Sequence, residues 1–195
     1  MKILLYLLIV IFPVLDSTES FLPKNEYGAI YFEEEVKSEN LGKDELFLNG
    51  VKYISKIQKV SRKKPELNAN LPAGIIVNKG SFYVYTQGLI TPQIHGEITY
   101  NVRLEVNDDS YKYTITDFVF IYYQRNRYGR YAPVKGKYKP LEEDNFAGSQ
   151  KTWINHKKTT KDIIEKQIEQ LKAAMAEPPA DANGGSEFSL EKNKN

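Results

Sequence analysis

The sequence predicts an α+β fold, a two-layer sandwich in which a curved antiparallel sheet carries two helices on one face. The first observation is a pair of alternating runs at residues 98–106 and 111–115, separated by a polar turn at residues 107–110. Alternating apolar and polar residues indicate strands with one buried and one wet face, as in an antiparallel sheet. The second observation is a helical spacing of apolar residues in two segments, one before and one after the long strands in the sequence. Each such helix needs a sheet face to cover.

The strands are placed from their apolar patterns and their flanking turns. The first is expected at residues 28–37 and the second at residues 74–86, where Gly80 indicates a bulge or bend. The hairpin supplies the other two strands. Its second strand becomes apolar on both faces beyond Asp117, which indicates a bulge or a second covered surface. Asp117 is expected to be buried there and hydrogen-bonded to backbone donors.

Two helices are expected, one before the long strands in the sequence and one after them. The first is predicted at residues 43 to about 61, with lysines on its outer surface. Gly50 lies on its apolar stripe and is interpreted as a close packing contact. The second is predicted to be capped by Thr159 or Thr160 and to extend to about residue 176, before a pair of prolines. A long loop or irregular hairpin is expected before it.

Both ends of the chain are expected to lie outside the folded domain. Residues 1–20 resemble a secretory signal peptide, with Lys2 before an apolar run too short for the ~20 residues of a membrane-spanning helix. A retained membrane anchor or an ordinary N-terminal strand is the alternative interpretation. Residues 177–195 are rich in proline, glycine, asparagine and charge, so a disordered tail is expected. A single domain at residues 21–176 remains.

Composition excludes several function classes. The chain has 195 residues, a formal net charge of +2 and no cysteine. Without cysteine it can form no disulfide, thiol nucleophile or thiolate metal site. The small positive charge does not by itself imply a nucleic-acid ligand. An export signal without cysteine fits a bacterial envelope protein, periplasmic or secreted, better than a small disulfide-stapled domain.

The best binding candidate is a basic, tyrosine-rich segment at residues 122–139, which interleaves six basic residues with five tyrosines. Arginine forks bind phosphate and carboxylate groups, and tyrosine rings stack on bases or sugars. The alternative is a solvated segment whose charges keep a sheet edge from aggregating. The proposed binding residues are Tyr122, Arg125, Arg127, Tyr128, Arg130 and Tyr131.

Other candidates are weaker. Glu33 and Glu35 share a strand face and could act together, although a solvated face opposite lysines is the simpler interpretation. His95 and His156 are placed in different loops without a ligand pattern, so no metal site is expected. Trp153 is expected to precede the last helix as a core or hinge anchor. No catalytic residue and no cofactor are assigned.

Several motifs resemble a family of uncharacterised exported bacterial domains with a TATA-binding-protein-like fold. The most specific motifs are residues 96–100 and 111–118. Shorter motifs that also match the family lie at residues 22–23, 28–31, 43–46 and 74–82. The resemblance spans roughly residues 21–176. It implies an exported α+β domain without an established activity, and it carries no catalytic residues over to this chain. The name of the fold describes a shape and does not imply DNA binding.

The function that these observations favour is a non-enzymatic binding or structural module in the bacterial envelope. Its expected partner is an envelope protein, a glycan or another acidic ligand, and a nucleic-acid ligand is unlikely in that compartment. The sheet face opposite the helices could also hold a partner, with Tyr31, Tyr83, Tyr85 and Arg103 as contributors. Two alternatives stay open. One is a hydrolase that uses Glu33, Glu35 or Asp117, and the other is a salt-dependent binder of acidic polymers or nucleic acid.

Overall fold

The computed structural model describes residues 22–38, 40–57, 67–88, 90–144 and 148–178. Within these ranges the chain forms a two-layer α+β sandwich with two helices on one face of an antiparallel sheet, which confirms the predicted fold class. The elements are β1 (Phe32–Lys37), α1 (Lys43–Ile54), β2 (Asn68–Asn70), β3 (Ile75–Thr86), β4 (Gln93–Val106), β5 (Ser110–Arg125), β6 (Tyr131–Pro140) and α2 (Gln150–Met175).

The long strands β3, β4 and β5 form the centre of the sheet. The strand order is β1-β5-β4-β3-β2, and β6 also pairs with β5. β1 pairs with the first half of β5 and β6 with the second half, so both lie along one edge of the sheet. β2 covers only the start of β3 at the other edge. All of these pairings are antiparallel.

The central hairpin has the predicted turn and the predicted buried face. Leu104 pairs with Tyr113 and Ile98 with Phe120, and all four side chains are buried beneath the helices. The backbone N–H of Asn107 donates to the carbonyl oxygen of Ser110 at 2.8 Å and closes the turn. Residues 107–110 are therefore a hairpin turn, as expected from their polar composition.

The bulge predicted near Asp117 is present, but the predicted burial of Asp117 is wrong. The pairing of β4 with β5 shifts between Thr99 and Asn101. Asp117 has a φ of 59°, a left-handed conformation that aspartate tolerates better than most residues. Its side chain is exposed and accepts a hydrogen bond from Asn101 Nδ2 at 2.6 Å, not from backbone donors. The extra residue in the bulge turns the side chain away from the core.

Gly80 does not mark a bulge or bend, so that prediction is wrong. It pairs regularly with Tyr100, and the shift in β3 lies instead between Val84 and Tyr85. The Tyr100 ring crosses over Gly80, where a Cβ atom would lie 2.2 Å from the ring carbon Cζ. A glycine is required here because an aromatic ring occupies the space of its missing side chain. The Tyr100 hydroxyl donates to Gln167 Oε1 on α2 at 2.7 Å.

Helix α1 begins where it was predicted. The N–H of Gly42 donates to Glu45 Oε2 at 3.0 Å, which satisfies one donor at the helix start. Gly50 is the predicted close contact, since a Cβ atom there would lie 2.6 Å from Leu104 Cδ2 on β4. The helix ends at Ile54, where Asn78 Nδ2 donates to the terminal carbonyl oxygen at 2.9 Å. Of the predicted extension, residues 58–61 lie outside the described residues.

Helix α2 begins about ten residues earlier than predicted. Its cap is Ser149, whose side chain accepts from the backbone N–H of Thr152. Thr160 is not a cap, because its hydroxyl donates backwards to the carbonyl oxygen of His156 at 2.8 Å within the helix. Trp153 therefore lies inside the helix, fully buried as the expected core anchor. Polar residues on the buried stripe hid this first part of the helix from the apolar pattern.

Two strands lie in segments that were expected to be connections. β6 lies within residues 125–149, where a long loop or an irregular hairpin was predicted, and the first part of this segment is a hairpin with β5. β2 lies between α1 and β3, where no strand was predicted. Both are edge strands with mostly exposed side chains, so neither has a clear apolar alternation.

Some predictions fall outside the described residues. These are the signal peptide at residues 1–20 and the part of the tail at residues 179–195. The bounds of the single domain also remain predictions. Neither helix of the described ranges has the length and apolar character needed to cross a membrane.

Candidate binding site

The hairpin between β5 and β6 has an ordered turn that one asparagine organises. Asn126 Oδ1 accepts hydrogen bonds from the backbone N–H groups of Tyr128 at 2.9 Å and Arg130 at 3.1 Å. The N–H of Asn126 donates to the carbonyl oxygen of Arg130 at 2.8 Å. Gly129 has a φ of 74°, a conformation that glycine adopts without a Cβ clash. The turn therefore presents its arginines and tyrosines from a defined backbone.

Two arginines of this hairpin stack on tyrosine rings. The guanidinium carbon of Arg125 lies 5.1 Å from the centroid of the Tyr131 ring. That of Arg127 lies 4.8 Å from the centroid of the Tyr128 ring. Stacking orients the planar guanidinium group and still leaves N–H donors for a carboxylate or phosphate. These four side chains and Arg130 form what we call the hairpin tip.

The hairpin carries a concentrated positive charge. Residues 125–139 contain six lysines and arginines and no acidic residue. Within the part of the chain that the structure describes, only Lys139 among them forms an ion pair, with Glu143 at 2.6 Å. The remaining positive charges of the hairpin project into solvent, where they can meet an acidic ligand.

Tyr122 lies apart from the other predicted binding residues. Its ring faces the helices, 4.7 Å from the Phe120 centroid and 6.0 Å from that of His95. By register, Arg125 and Tyr131 point to the opposite face of the sheet. The hairpin thus brings five of the six predicted residues together and leaves Tyr122 in the aromatic packing beneath α2.

A buried carboxyl group lies on the sheet face opposite the helices. Glu97 pairs with Tyr83 on β3 and Ile121 on β5 and is only 2% exposed. Its Oε2 accepts a hydrogen bond from the Tyr123 hydroxyl at 2.5 Å. Its Oε1 has no hydrogen-bond partner in the described part of the protein. The Tyr83 and Tyr123 rings meet edge to face beside it, with centroids 5.5 Å apart.

A second unsatisfied polar atom lies on the same face. Tyr131 pairs with Arg125 and is a diagonal neighbour of Tyr123 across β5 and β6. Its hydroxyl is buried and, among the described residues, has no hydrogen-bond partner. Burial, together with the hydrogen bond to Glu97, raises the pKa of Tyr123, so this phenol stays protonated as the donor. We call Tyr83, Glu97, Tyr123 and Tyr131 the Glu97 cluster.

The two histidines come together, contrary to the expectation that they occupy separate loops. His95 lies in β4 at the shift in its pairing with β3, and His156 lies in α2. Nδ1 of His95 and Nε2 of His156 are 2.7 Å apart. Phe120 packs on both rings, with centroid distances of 5.3 Å to His95 and 5.5 Å to His156. The early start of α2 is what carries His156 to the sheet.

The environment of this histidine pair favours the neutral form. Burial lowers the pKa of His95, and burial with the neighbouring His95 lowers the pKa of His156 to about 4. His156 Nδ1 is buried and has no partner among the described residues. One ring must donate and the other accept across the 2.7 Å contact. The pair therefore fastens α2 to β4, and the contact is lost once both rings are protonated, because neither nitrogen can then accept.

The other carboxylates proposed for chemistry are held by neighbouring side chains. Glu33 forms an ion pair with Lys112 at 2.8 Å, and Glu35 Oε1 accepts from the Ser110 hydroxyl at 3.3 Å. Hydrogen bonds from lysine lower the pKa of Glu33. This arrangement matches the simpler interpretation of a solvated strand face opposite a lysine. Two cavities in the described part of the chain, one beside Leu41 and Met175 and one at the β3–β4 loop, are lined by neither these residues nor Asp117.

No group of three or more histidine and acidic side chains within the described ranges could hold a metal ion. Asp108 and Asp109, two adjacent carboxylates, belong to the hairpin turn between β4 and β5. A metal site needs more converging oxygen or nitrogen ligands than this hairpin turn or the histidine pair supplies.

The four residues expected on the open sheet face fall into two separate groups. Tyr31 hydrogen-bonds to Glu33, and Arg103 Nε pairs with Glu105 Oε1 at 2.6 Å, towards the β1 end of the face. Tyr83 belongs to the Glu97 cluster, and Tyr85 is 49% exposed at the β3–β4 loop. The open face is therefore not one continuous site.

Sequence reasoning missed Glu97 and the histidine pair. Glu97 has the same phase as the polar residues of β4, and the pattern gives no sign that this position alone is buried. The histidines are 61 residues apart, and their approach depends on the start of α2. For Glu97, the only signal in the sequence was its position next to Gly96 within a strand.

Two solved structures are similar to the chain in fold. A crystal structure of a TBP-like protein from Parabacteroides distasonis is 19% identical, with a TM-score of 0.57 over 80% of this chain and 97% of that chain. A crystal structure of a DUF4468 family protein from Bacteroides ovatus is 11% identical, with a TM-score of 0.58 over 82% of this chain and 93% of that chain. At these identities the similarity establishes the fold alone. No curated protein matches the chain.

The family resemblance expected from the sequence motifs is confirmed by a direct match. The profile of the family described as "Domain of unknown function (DUF4468) with TBP-like fold" matches residues 32–121, from the start of β1 to within β5. Residues 125–131 of the hairpin tip lie beyond this match. Residues 32–121 therefore match the DUF4468 family, whose fold is TBP-like and whose function is unknown.

Proposed function

We propose that the protein is a non-enzymatic binding module that holds an acidic partner at its hairpin tip. The observation that carries this proposal is the stacking of Arg125 on Tyr131 and of Arg127 on Tyr128, in a segment without acidic residues. Stacked guanidinium groups lose less side-chain freedom on binding than solvated lysines do. Carboxylate or phosphate groups that approach the tip can be held bidentately.

The remaining features favour binding over catalysis. The carboxylates considered for hydrolysis are occupied by lysine, hydroxyl or amide donors, as with Glu33, Glu35 and Asp117. Glu33 and Glu35 lie on β1, and Asp117 lies on β5 beyond the end of the β1 pairing. The hairpin tip, in contrast, lies at the turn between β5 and β6, and many folds place their recognition residues on such connections.

The test is the binding of polyglutamate, a flexible acidic polymer, to the full chain at several salt concentrations. Changing Arg125, Arg127 and Arg130 together to Ala is expected to weaken binding about 10- to 100-fold, because each exposed charge contact contributes roughly 0.5–1 kcal/mol. Wild-type affinity should fall with rising salt, and the variant should show a shallower dependence.

The matched control removes the same charge from another surface. Lys151, Lys158 and Lys166 are exposed on α2, and their joint change to Ala lowers the net charge equally. This control should bind polyglutamate almost as well as wild type. Equal losses in both variants would mean that only net charge matters, and the hairpin tip would then not be the site. Tighter binding of a single-stranded oligonucleotide than of polyglutamate would favour the nucleic-acid alternative instead.

We further propose that the protein is exported to the periplasm or beyond, with residues 1–20 removed. The support is the sequence pattern of Lys2 followed by a short apolar run. Expression of the full chain in a bacterial host, followed by fractionation and N-terminal sequencing, tests this. The mature chain is expected to start near residue 21 in the periplasmic or secreted fraction. A full-length chain in the cytoplasmic fraction would contradict export.

A further inference from the structure

The Glu97 cluster has the chemistry of a site for an organic cation. The carboxyl group of Glu97 belongs to a residue that is only 2% exposed. Within the described ranges, no lysine, arginine or histidine forms an ion pair with it. A buried carboxylate without a cation is unfavourable, and such groups are usually paired. The Tyr123 hydroxyl donates a hydrogen bond to Glu97 Oε2, and Oε1 accepts no hydrogen bond from the described residues.

We propose that Glu97, Tyr83, Tyr123 and Tyr131 bind a protonated amine, and that this amine is a lysine side chain of a polypeptide partner. An ammonium group has three donors and no acceptor, so it can donate to Glu97 Oε1 and to the unpartnered Tyr131 hydroxyl. The edge-to-face rings of Tyr83 and Tyr123 offer aromatic surface that attracts a cation.

Other ligand chemistries fit this cluster less well. A divalent metal needs several oxygen or nitrogen ligands, and the cluster supplies one carboxylate among phenols. An anion is excluded by the carboxylate itself. A neutral hydroxyl could donate to Oε1 but would bring no positive charge to this buried carboxyl group.

Access to the cluster passes through the hairpin. Tyr131 covers its edge, and β6 is attached to β5 by two separate short ladders. Ile121 pairs with Tyr138 and Tyr123 with Pro133, so four residues of β6 bulge opposite one residue of β5. The outer part of the hairpin, which carries Tyr131, is therefore joined to β5 by a ladder of its own. A partner that binds the arginine-rich tip would place a neighbouring lysine beside the cluster, and this link rests on the proposed function.

The first experiment is a titration of the isotope-labelled full chain with n-butylammonium, followed by backbone amide shifts. Saturable shifts are expected at Glu97 and Tyr123, and the neutral analogue n-butanol should produce none. Glu97→Gln keeps an acceptor for Tyr123 and removes the charge, so binding should weaken at least about ten-fold. Glu105→Gln changes an exposed carboxylate on the same strand face and should retain wild-type affinity. Equal binding by Glu97→Gln and wild type would overturn the proposal.

A second variant keeps the test decisive if Glu97→Gln folds poorly. Tyr131→Phe removes an unpartnered buried hydroxyl, so the unbound protein should melt about 3 °C higher. It should also bind n-butylammonium more weakly than wild type. Higher stability with unchanged binding would remove Tyr131 from the site, and an unchanged or lower melting temperature would contradict its assignment as an unsatisfied group.

Two further arms separate this proposal from the others. The triple arginine variant of the hairpin tip should still bind n-butylammonium, so the cation site and the acidic-partner site can fail independently. Lysine with an acetylated α-amino group and an amidated carboxyl group (blocked lysine) should compete with n-butylammonium, because its side-chain ammonium is the only charged group. Binding of n-butylammonium without competition by blocked lysine would overturn the assignment to a polypeptide side chain and leave a small free amine as the ligand.

Discussion

Acidification from pH 7 to about pH 4 is expected to lower the free energy of unfolding by about 3 kcal/mol through the histidine pair. Burial holds the pKa of His156 at about 4, against 6.5 for an ordinary histidine. Between these pH values the unfolded chain binds more protons than the folded protein, so stability falls as the pH falls. The contribution is fully present above pH 6.5 and is lost as the pH approaches 4. His95, whose pKa is also lowered by burial, changes stability in the same direction.

Urea unfolding at pH steps from 7 to 4.5 measures this dependence. The carboxylates with lowered pKa values, Glu33, Glu34 and Asp144, keep their stabilising effect until the pH falls below their ordinary values of 4.5 and 3.8. The range from pH 6.5 to 4.5 therefore reports mainly on the histidines. His156→Gln should be less stable at pH 7 and should show a flatter curve. A wild-type curve that is already flat in this range would contradict the buried neutral pair.

Gly96→Ala is expected to destabilise the protein by roughly 3 kcal/mol, the upper part of the usual cost of overpacking a core. A Cβ atom at Gly96 would lie 2.3 Å from Phe120 Cε2 and 2.4 Å from the carbonyl oxygen of Ile121. The ring could shift, but the carbonyl belongs to the neighbouring strand and cannot move without breaking the ladder. Because Phe120 also packs on Trp153 and His156, its displacement would loosen α2 from the sheet.

Thermal unfolding followed by the near-ultraviolet signal of Trp153 measures this effect. A loss of about 3 kcal/mol corresponds to a fall of roughly 10 °C in a domain of this size. Gly42→Ala is the matched control, since a Cβ atom there would meet nothing within 4 Å and its φ is −78°. Its cost should stay below about 1 kcal/mol, the difference between glycine and alanine at a helix N-cap. Equal melting temperatures for the two variants would show that Phe120 does not require Gly96.

Elements with a strong periodic pattern could be predicted because their burial is regular. The hairpin of β4 and β5 shows this, since its alternating residues form one buried face from Ile98 to Val106. β6 was predicted only as a long loop or an irregular hairpin, because most of its side chains are exposed and it carries no clear alternation. The start of α2 was misplaced because His156 and Thr160 are polar residues on a buried stripe. Burial of polar residues depends on the partner across the core, which local sequence does not specify.

The candidate binding residues divide in the same way. The positive charge of residues 125–139 and the turn at Asn126 are local features, and the sequence already indicates them. The stacking of Arg125 on Tyr131 needs the antiparallel register of β5 and β6. Tyr122 was grouped with the hairpin because it is adjacent in sequence, yet strand alternation places it on the opposite face.

The sequence by itself determined the fold class, the central hairpin, the two helices and the family, because these follow from short-range periodicity and motifs. Only the tertiary structure decided that Glu97 is buried with an unpartnered oxygen and that His95 meets His156. Burial and contact between distant residues are properties of the packed sheet and helices. They arise when a strand register and a helix start fix which side chains share one space, and no local pattern contains that information.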